Sequence, residues 1–252
     1  MAIDNTFRTV TVEQRPDLGA VMVAADQDAY PPFLLHGAFA ELWPRIYEEF
    51  PEYQLALLDS ESDEVVAHGN SVPFRWDGSL ASLPDSATAL GELARSARRD
   101  GTAATALGAL QAVVHVEHQG RGLSRQVLKT MAGLADQRNL ADLFAPVRPS
   151  QKERYPLIDM EGYIQWRRSD GSPQDPWMRV HHQLGAKPVG VRRAWATVTG
   201  SCAQWEDWTG MSFPQSGAYV VPGGLVPVYI DVEADRGRYE EPHLWVHYRI
   251  RA

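Results

Sequence analysis

A glycine-rich turn between an apolar run and an amphipathic helix constrains the fold of this chain more than any other feature. The turn spans residues 118–124, His-Gln-Gly-Arg-Gly-Leu-Ser, and follows the apolar run 112–116. A helix predicted over 121–138 comes next, and its apolar residues share one face: Leu123, Val127, Met131 and Leu134. A strand that enters such a turn directs several backbone N–H groups at one point, at the positive end of the helix dipole. The sequence therefore predicts an anion site, most simply for a phosphate.

Hydrophobic periodicity predicts strands and helices on both sides of this turn. Alternating and β-branched runs predict strands at 6–12, 53–58, 64–73, 107–116, 140–147, 189–198, 226–232 and 244–250. Helical spacing and capping residues predict helices at 16–25, 38–50, 87–99, 121–138 and 176–184. Pro146 is unusual inside a strand because proline cannot donate to a sheet ladder. The predicted fold class is mixed α/β with a strand–helix–strand unit at its centre.

The charge balance limits the partners of the chain. Its 252 residues include 24 basic and 32 acidic side chains, for a net charge of −8, whereas nucleic-acid binding relies on a basic face. We therefore expect no nucleic-acid partner. The single cysteine, Cys202, rules out an internal disulfide and is typical of a reducing compartment. The sequence begins with no apolar leader and contains no run of about 18 apolar residues, which predicts a cytoplasmic protein with no membrane partner.

Two common phosphate loops do not fit the turn. A Walker A loop requires Gly-Lys-Ser/Thr after its first glycine, and residues 118–124 lack that sequence. A dinucleotide fingerprint requires a third glycine three residues after Gly122, where Arg125 stands. Both kinds of nucleotide site are therefore excluded at this position.

The turn instead resembles the acyl-CoA loop of the GNAT N-acetyltransferase superfamily. That loop has the pattern Gln/Arg-x-x-Gly-x-Gly/Ala, and residues 119–124 are Gln-Gly-Arg-Gly-Leu-Ser, with Ser124 in the last position. Residues 181–189 resemble the helix end and long strand that come later in the same superfamily. The resemblance covers about residues 6–198.

The resemblance implies a GNAT-like fold for a single domain over 1–252. Its central sheet would be twisted, mostly antiparallel, flanked by helices and splayed at the strand that precedes the glycine-rich turn. Residues 151–175 are predicted to form an insertion, and residues 199–252 a β-rich C-terminal extension.

The resemblance also implies which residues hold the donor, acetyl-CoA or another acyl-CoA. Backbone groups of Ala112, Val113 and Val114 would face the pantetheine arm and polarise the acyl carbonyl as an oxyanion hole does. The turn would bind the pyrophosphate through its backbone amides, with charge-assisted hydrogen bonds from Arg121 or Arg125. The donor-binding residues predicted in the turn are Gln119, Gly120, Arg121, Gly122, Leu123, Ser124 and Arg125.

The acid that protonates the leaving thiolate lies, in many relatives, four residues before the glycine of a Leu-Gly pair. Counting back from Gly185 gives His181. An imidazole at this position could donate a proton near neutral pH. We therefore predict His181 as a catalytic residue.

The position of the general base departs from the family pattern. Some relatives carry a glutamate on the strand after the glycine-rich helix, and Pro146 occupies that position here. Glu117 and Tyr155 are the predicted replacements. His115, Asp159 and a base that acts through water stay open as alternatives.

The acceptor implied by the resemblance is an amine that attacks the thioester directly in a ternary complex. The acidic charge and the aromatic-rich C-terminal half favour a small-molecule amine. Arg148, Lys152 and Arg154 could bind a substrate carboxylate or the 3′-phosphate of CoA, or lie at the surface. Adjacent histidines point to different faces of a helix, so we expect no metal.

Two other functions remain open at this stage. The chain could be a catalytically silent acyl-CoA-binding module, or a GNAT-like enzyme that acts on acyl groups attached to a carrier protein. The sequence is compatible with a monomer and with a homodimer. It does not identify the acceptor or the length of the acyl chain.

Overall fold

The strands join into one sheet in the computed structural model, which describes residues 6–251 except for the side chain of Phe39. They are β1 (Phe7–Thr11), β2 (Gln54–Asp59), β3 (Val65–Phe74), β4 (Ala106–Val114), β5 (Asp142–Val147), β6 (Lys187–Gly200), β7 (Gly217–Tyr219), β8 (Val228–Asp231) and β9 (Arg236–Arg249). Their order is β1-β2-β3-β4-β5-β9-β8-β7, and β6 also pairs with β9. Residues 1–5, which enter the cytoplasmic prediction, and residue 252 lie outside the described residues.

Strands β4 and β5 pair only briefly before they separate. They run parallel, and only residues 106–108 of β4 pair with residues 142–144 of β5. The opposite edge of β4 stays paired with β3 as far as Val114, with a register shift that skips Leu110. The other paired strands of the described sheet are antiparallel. The predicted fold class is confirmed, because the sheet is mostly antiparallel and splayed at the strand before the glycine-rich turn.

The helices pack on this sheet and carry the turn. They are α1 (Leu18–Ala29), α2 (Gly37–Ala40), α3 (Leu42–Glu49), α4 (Ala87–Arg99), α5 (Leu123–Gln137), α6 (Met160–Tyr163), α7 (Pro176–Gln183) and α8 (Cys202–Thr209). The predicted apolar face of α5 is buried. Within residues 6–251, no helix has both the length and the apolar character needed to span a bilayer.

Several elements differ from their predictions, and α6 and β7 were not predicted at all. The helix predicted over 38–50 is divided into α2 and α3, because Pro44 lacks the N–H that would bond back to residue 40 and is tolerated only in a first turn. The strand predicted over 244–250 begins at Arg236, and its first six residues alternate between exposed and buried. Helix α8 was not predicted, although Ser201 and Gln204 form a capping box at its start.

Helix α7 is fixed at both ends by local chemistry. The carboxylate of Asp175 accepts hydrogen bonds from the N–H groups of Trp177 at 2.9 Å and Met178 at 3.1 Å, and Pro176 occupies the first turn. Gly185 follows the helix with a φ of +86°, the left-handed conformation typical of a residue just after a helix. This short helix presents Trp177 towards the gap between β4 and β5.

The segment 151–175 is tied to the C-terminal part of the chain. Lys152 is fully buried, and its Nζ donates to the carbonyl oxygens of Tyr155 at 2.8 Å and Leu225 at 2.6 Å. Burial lowers the pKa of Lys152. Strand β9 pairs with β5 near the centre of the sheet, so residues 236–249 complete the fold that supports the gap.

Three buried amides connect β2, β3 and β4 beside the gap. Asn70 Nδ2 donates to Gln54 Oε1 at 2.9 Å, and Gln111 Nε2 donates to Asn70 Oδ1 at 2.9 Å. Asn70 and Gln54 are fully buried, and Gln111 is 6% exposed. An amide left without partners in a core costs free energy. This row of three amides therefore fixes the register of β4 next to its bulge.

The same network reaches helix α1. Gln111 Nε2 lies 3.0 Å from both carboxylate oxygens of Asp26, and the hydroxyl of Tyr30 donates to Gln111 Oε1 at 2.9 Å. His68 Nε2 lies 3.0 Å from Asp26 Oδ1. The end of α1 is therefore held against the middle of β4.

We predict that Asn70→Ala lowers the free energy of unfolding by about 2–4 kcal/mol, because it leaves Gln54 Oε1 unpaired and removes an acceptor from Gln111. Urea denaturation followed by fluorescence measures this change. Gln137→Ala, which removes an exposed amide from α5, is the control and is expected to change stability by less than about 0.5 kcal/mol. Equal effects of the two substitutions would show that the amide chain does not stabilise β4.

Candidate active site

The gap between β4 and β5 opens into a cavity of about 580 Å³. Residues 28–30 at the end of α1, residues 110–114 of β4 and the turn that follows β4 form its walls. The other lining residues follow β5, belong to α7 or lie on β9: Pro146, Arg148, Ser150, Pro176, Trp177, Val180 and His243. The described strands leave β4 without a ladder partner on this side beyond Gly108.

The glycine-rich turn presents free backbone donors at the cavity. Gly120 and Gly122 have φ values of +77° and +76°, a conformation that other residues adopt only with strain. Gly122 precedes α5 without any side-chain cap. The N–H groups of residues 120–124 donate to no acceptor in the described part of the chain. Several free donors at the start of a long helix fit the pyrophosphate of CoA.

Most of the predicted donor-binding residues line this cavity. Eight of them do: Ala112, Val113, Val114, Gln119, Gly120, Gly122, Leu123 and Ser124. The two arginines are not part of the lining. Arg121 contacts His118 Nδ1 at 3.1 Å and lies over the Phe7 ring, and Arg125 donates to Gln183.

A buried carboxylate orients an imidazole on the wall of the cavity. Glu241 is 1% exposed, and its Oε1 lies 2.9 Å from His243 Nε2. Burial opposes ionisation of Glu241, but the Arg148 charge and the hydrogen bonds from His243 and Arg148 outweigh it and lower its pKa to about 2. Tyr239 also donates to Glu241 Oε2, at 2.6 Å.

His243 is neutral at pH 7 in this environment. Burial lowers its pKa below the ordinary 6.5, against the opposing effect of Glu241. The hydrogen bond to the carboxylate places the ring proton on Nε2. Nδ1 is buried and has no hydrogen-bond partner among the described residues, and the His243 ring lines the cavity.

Arg148 is held by the same carboxylate. Its Nε lies 2.9 Å from Glu241 Oε1, and its Nη2 donates to Glu241 Oε2 at 3.1 Å and to the Gly223 carbonyl at 2.7 Å. The other two members of the predicted basic cluster lie elsewhere, since Lys152 is buried among carbonyls and Arg154 is exposed.

His181 lies at the narrow end of the gap. It shares a crevice of about 30 Å³ with Pro146 and Trp177, and it also lines a second cavity of about 320 Å³. Its Nδ1 lies 2.6 Å from the Tyr248 hydroxyl, while its buried Nε2 has no partner within the described chain. Burial lowers its pKa to about 3. The ring is therefore neutral at pH 7. The sequence instead predicts a histidine that titrates near neutral pH and donates a proton.

The groups predicted as bases do not line the cavity. Tyr155 is 43% exposed and packs on Trp166 with ring centroids 4.9 Å apart. His115 contacts His68 at 3.4 Å, and Asp159 caps α6. Their catalytic roles stay predictions that the cavity does not support.

Glu117 is exposed beside the turn, outside the cavity. Its carboxylate, the carboxylate of Glu64 and the imidazole of His118 form a group whose ligand atoms are within 4.8 Å of one another. Both glutamates are exposed, and exposed acidic groups meet without a metal on many surfaces. The expected absence of a metal stays a prediction.

Sequence reasoning missed Glu241 and His243. Both lie in the part of β9 that was not predicted, more than 90 residues after Arg148. One signal was present, because Tyr239, Glu241, His243 and Trp245 have the period of two that places side chains on one face of a strand. A glutamate among three aromatic rings on a buried face requires a partner.

The comparison with curated proteins yields an N-acetyltransferase. The chain is 29% identical to the arginine N-acetyltransferase avaD of Aspergillus versicolor, across 94% of this chain and 91% of that protein. No family model matches the chain.

Solved structures share the fold along the whole length of the chain. The loading GNATL domain of CurA from Lyngbya majuscula has a TM-score of 0.60 at 18% identity, covering 97% of this chain and 96% of that one. The GphF GNAT-like decarboxylase, solved with isobutyryl-CoA, has a TM-score of 0.58 at 17% identity, covering 97% and 99%. Such identities establish the fold alone. The chain therefore shares the fold of GNAT-like structures and is similar along most of its length to an N-acetyltransferase.

Proposed function

We propose that this protein transfers the acetyl group of acetyl-CoA to the α-amine of arginine or of a closely similar small molecule. The observation that carries the proposal is the cavity of about 580 Å³, because it joins the free N–H groups of the turn to the imidazole of His243. The turn fits the pyrophosphate, and the gap between β4 and β5 leaves room for the acyl arm. The arginine N-acetyltransferase relative supports arginine as the acceptor.

The α-amine is the group of arginine that can react. Its guanidinium stays protonated at physiological pH and has no lone pair to offer. An α-amine loses its proton far more readily. A base near the thioester therefore directs the reaction to the α-nitrogen.

His243 acts as that base in the proposed reaction. The amine lone pair attacks the thioester carbon while Nδ1 takes the proton that the nitrogen releases. The tetrahedral intermediate collapses, the C–S bond breaks, and the electron pair leaves with sulfur. Glu241 stabilises the imidazolium through the hydrogen bond at Nε2. A free N–H on the open side of β4 would hold the oxyanion.

His181 supports the departing thiolate as a neutral donor. In the tautomer that carries its proton on Nε2, Nδ1 accepts from the Tyr248 hydroxyl 2.6 Å away, and Nε2 has no partner among residues 6–251. The N–H can then donate to sulfur as negative charge develops. The sequence predicts that protonated His181 is the acid. A pKa of about 3 leaves almost no imidazolium at pH 7, so the neutral ring is the proposed donor instead.

We place the reaction in the cytoplasm. Cys202 is free, which supports a reducing compartment. One chain supplies every group named above, so a single copy suffices for the proposed reaction.

The direct test is incubation with acetyl-CoA and L-arginine, with thiol release followed by a colorimetric reagent and the product identified by mass spectrometry. We expect one thiol for each acetylarginine. Tight binding of acetyl-CoA with no thiol release for any amine would contradict the proposal and favour the silent acyl-CoA-binding module.

Gly122→Ala is expected to raise the KM for acetyl-CoA about tenfold. A Cβ at a φ of +76° costs roughly 1–2 kcal/mol in the left-handed conformation, and relaxation of the turn redirects its N–H groups. Gly133→Ala makes the same substitution inside α5, where a Cβ meets no atom within 4 Å. This control should retain the KM and stabilise the helix slightly. Parallel behaviour of the two variants would show that the turn does not bind the donor.

His243→Asn is expected to lower kcat/KM for the acceptor by about 10²–10³-fold, since it removes the base. Acetyl-CoA binding, measured by thermal shift, should stay within about twofold of the wild-type value because the turn is intact. His182→Asn, an exposed position outside the cavity, is the control. Full activity of His243→Asn would return the role of base to Glu117, Tyr155, His115, Asp159 or water.

A further inference from the structure

Asp28 is a carboxylate without a counter-ion on the wall of the cavity. It lies in the last turn of α1 and lines the cavity beside Tyr30. Its side chain forms no hydrogen bond or ion pair with any residue that the structure describes. A charged group that faces a cavity without a partner is free to bind a ligand of opposite charge.

The end of α1 strengthens the negative potential at Asp28. The C-terminus of a helix carries the negative end of its dipole and attracts cations. The last turn of α1 contains no basic residue. Asp26, two residues earlier, adds a second carboxylate that is turned inward to Gln111 and His68. A cation is therefore favoured at this wall of the cavity.

Arg148 supplies the opposite charge on another wall. Glu241 and the Gly223 carbonyl occupy its Nε and Nη2, while its Nη1 donates to no described residue. Among the described residues that line the cavity, Asp28 is the one carboxylate and Arg148 the one guanidinium or ammonium. Besides the backbone donors of the turn, the cavity thus offers one charged side chain to an anion and one to a cation.

We propose that Asp28 and Arg148 select the acceptor, which is an amino acid with a cationic side chain. The α-carboxylate binds the free Nη1 of Arg148, and the cationic end of the side chain binds Asp28. This inference rests on the proposed function and adds to it the residues that determine acceptor specificity.

Glu241 makes this orientation productive. Its Oε1 lies 2.9 Å from Arg148 Nε and 2.9 Å from His243 Nε2, so the guanidinium and the imidazole are neighbours. A carboxylate bound to Arg148 therefore brings the α-amine, which shares its carbon, beside His243. The side chain extends away from the reacting nitrogen towards α1.

The test compares L-arginine with L-citrulline, in which a neutral urea replaces the guanidinium. Asp28→Asn is expected to raise the KM for arginine about three- to fivefold, as loss of one exposed ion pair predicts. The KM for citrulline and the KM for acetyl-CoA should change less than about twofold. Glu48→Gln makes the same change of charge at an exposed position of α3 outside the cavity and should leave all three values unchanged.

Titration calorimetry of arginine into the CoA-bound protein separates this inference from the proposed function. Weaker arginine binding by Asp28→Asn supports the inference even if the wild-type protein acetylates no amine. If the ratio of the KM for arginine to the KM for citrulline is unchanged in Asp28→Asn, the inference about Asp28 is wrong. The proposed function still holds in that case if the wild-type protein acetylates arginine. A wild-type protein that acetylates neutral amines but neither binds nor acetylates arginine contradicts both.

Discussion

The separation of β4 from β5 is the constraint on which the rest of the site depends. Two parallel strands that pair over three residues and then diverge leave one edge of β4 without ladder partners. Unpaired backbone groups in a core are costly, so the opposite edge must hold β4 in place. The ladder with β3 and the amide chain from Gln54 through Asn70 to Gln111 do so. Stability on the β3 side thereby permits an open binding surface on the β5 side.

A single carboxylate organises the chemical end of the cavity. Glu241 holds Arg148 and His243 at once, and Tyr239 adds a third hydrogen bond. The ion pair with Arg148 outweighs the cost of burying Glu241, as its lowered pKa shows. Because the same group fixes a candidate carboxylate-binding residue and a candidate base, acceptor binding and proton transfer share one support. Removing that support would alter both functions together.

The sequence predicts the donor side of the site far better than the acceptor side. The turn and α5 follow from local chemistry, since Gly120, Gly122 and the apolar face of the helix are encoded within about twenty residues. The proposed acceptor side combines Asp28, Arg148 and His243 from three distant parts of the chain. Their proximity depends on sheet order, which local periodicity does not encode. Local periodicity also fails to place the ends of some elements, as the division of one predicted helix into α2 and α3 and the early start of β9 show.

Pro146 explains why the proposed base lies on a different strand. Proline can neither accept a proton nor donate to a ladder, and beyond Phe144 one edge of β5 is open, where proline is tolerated. In the antiparallel pairing of β5 with β9, Pro146 faces Trp245 and Val147 faces Leu244. Just beyond that ladder, Arg148 and His243 both contact Glu241 Oε1. The imidazole therefore lies two positions along and one strand across from the missing glutamate, and it reaches the same cavity from the neighbouring strand. A shift of this kind preserves the chemistry of a site while the sequence pattern that identifies its base disappears.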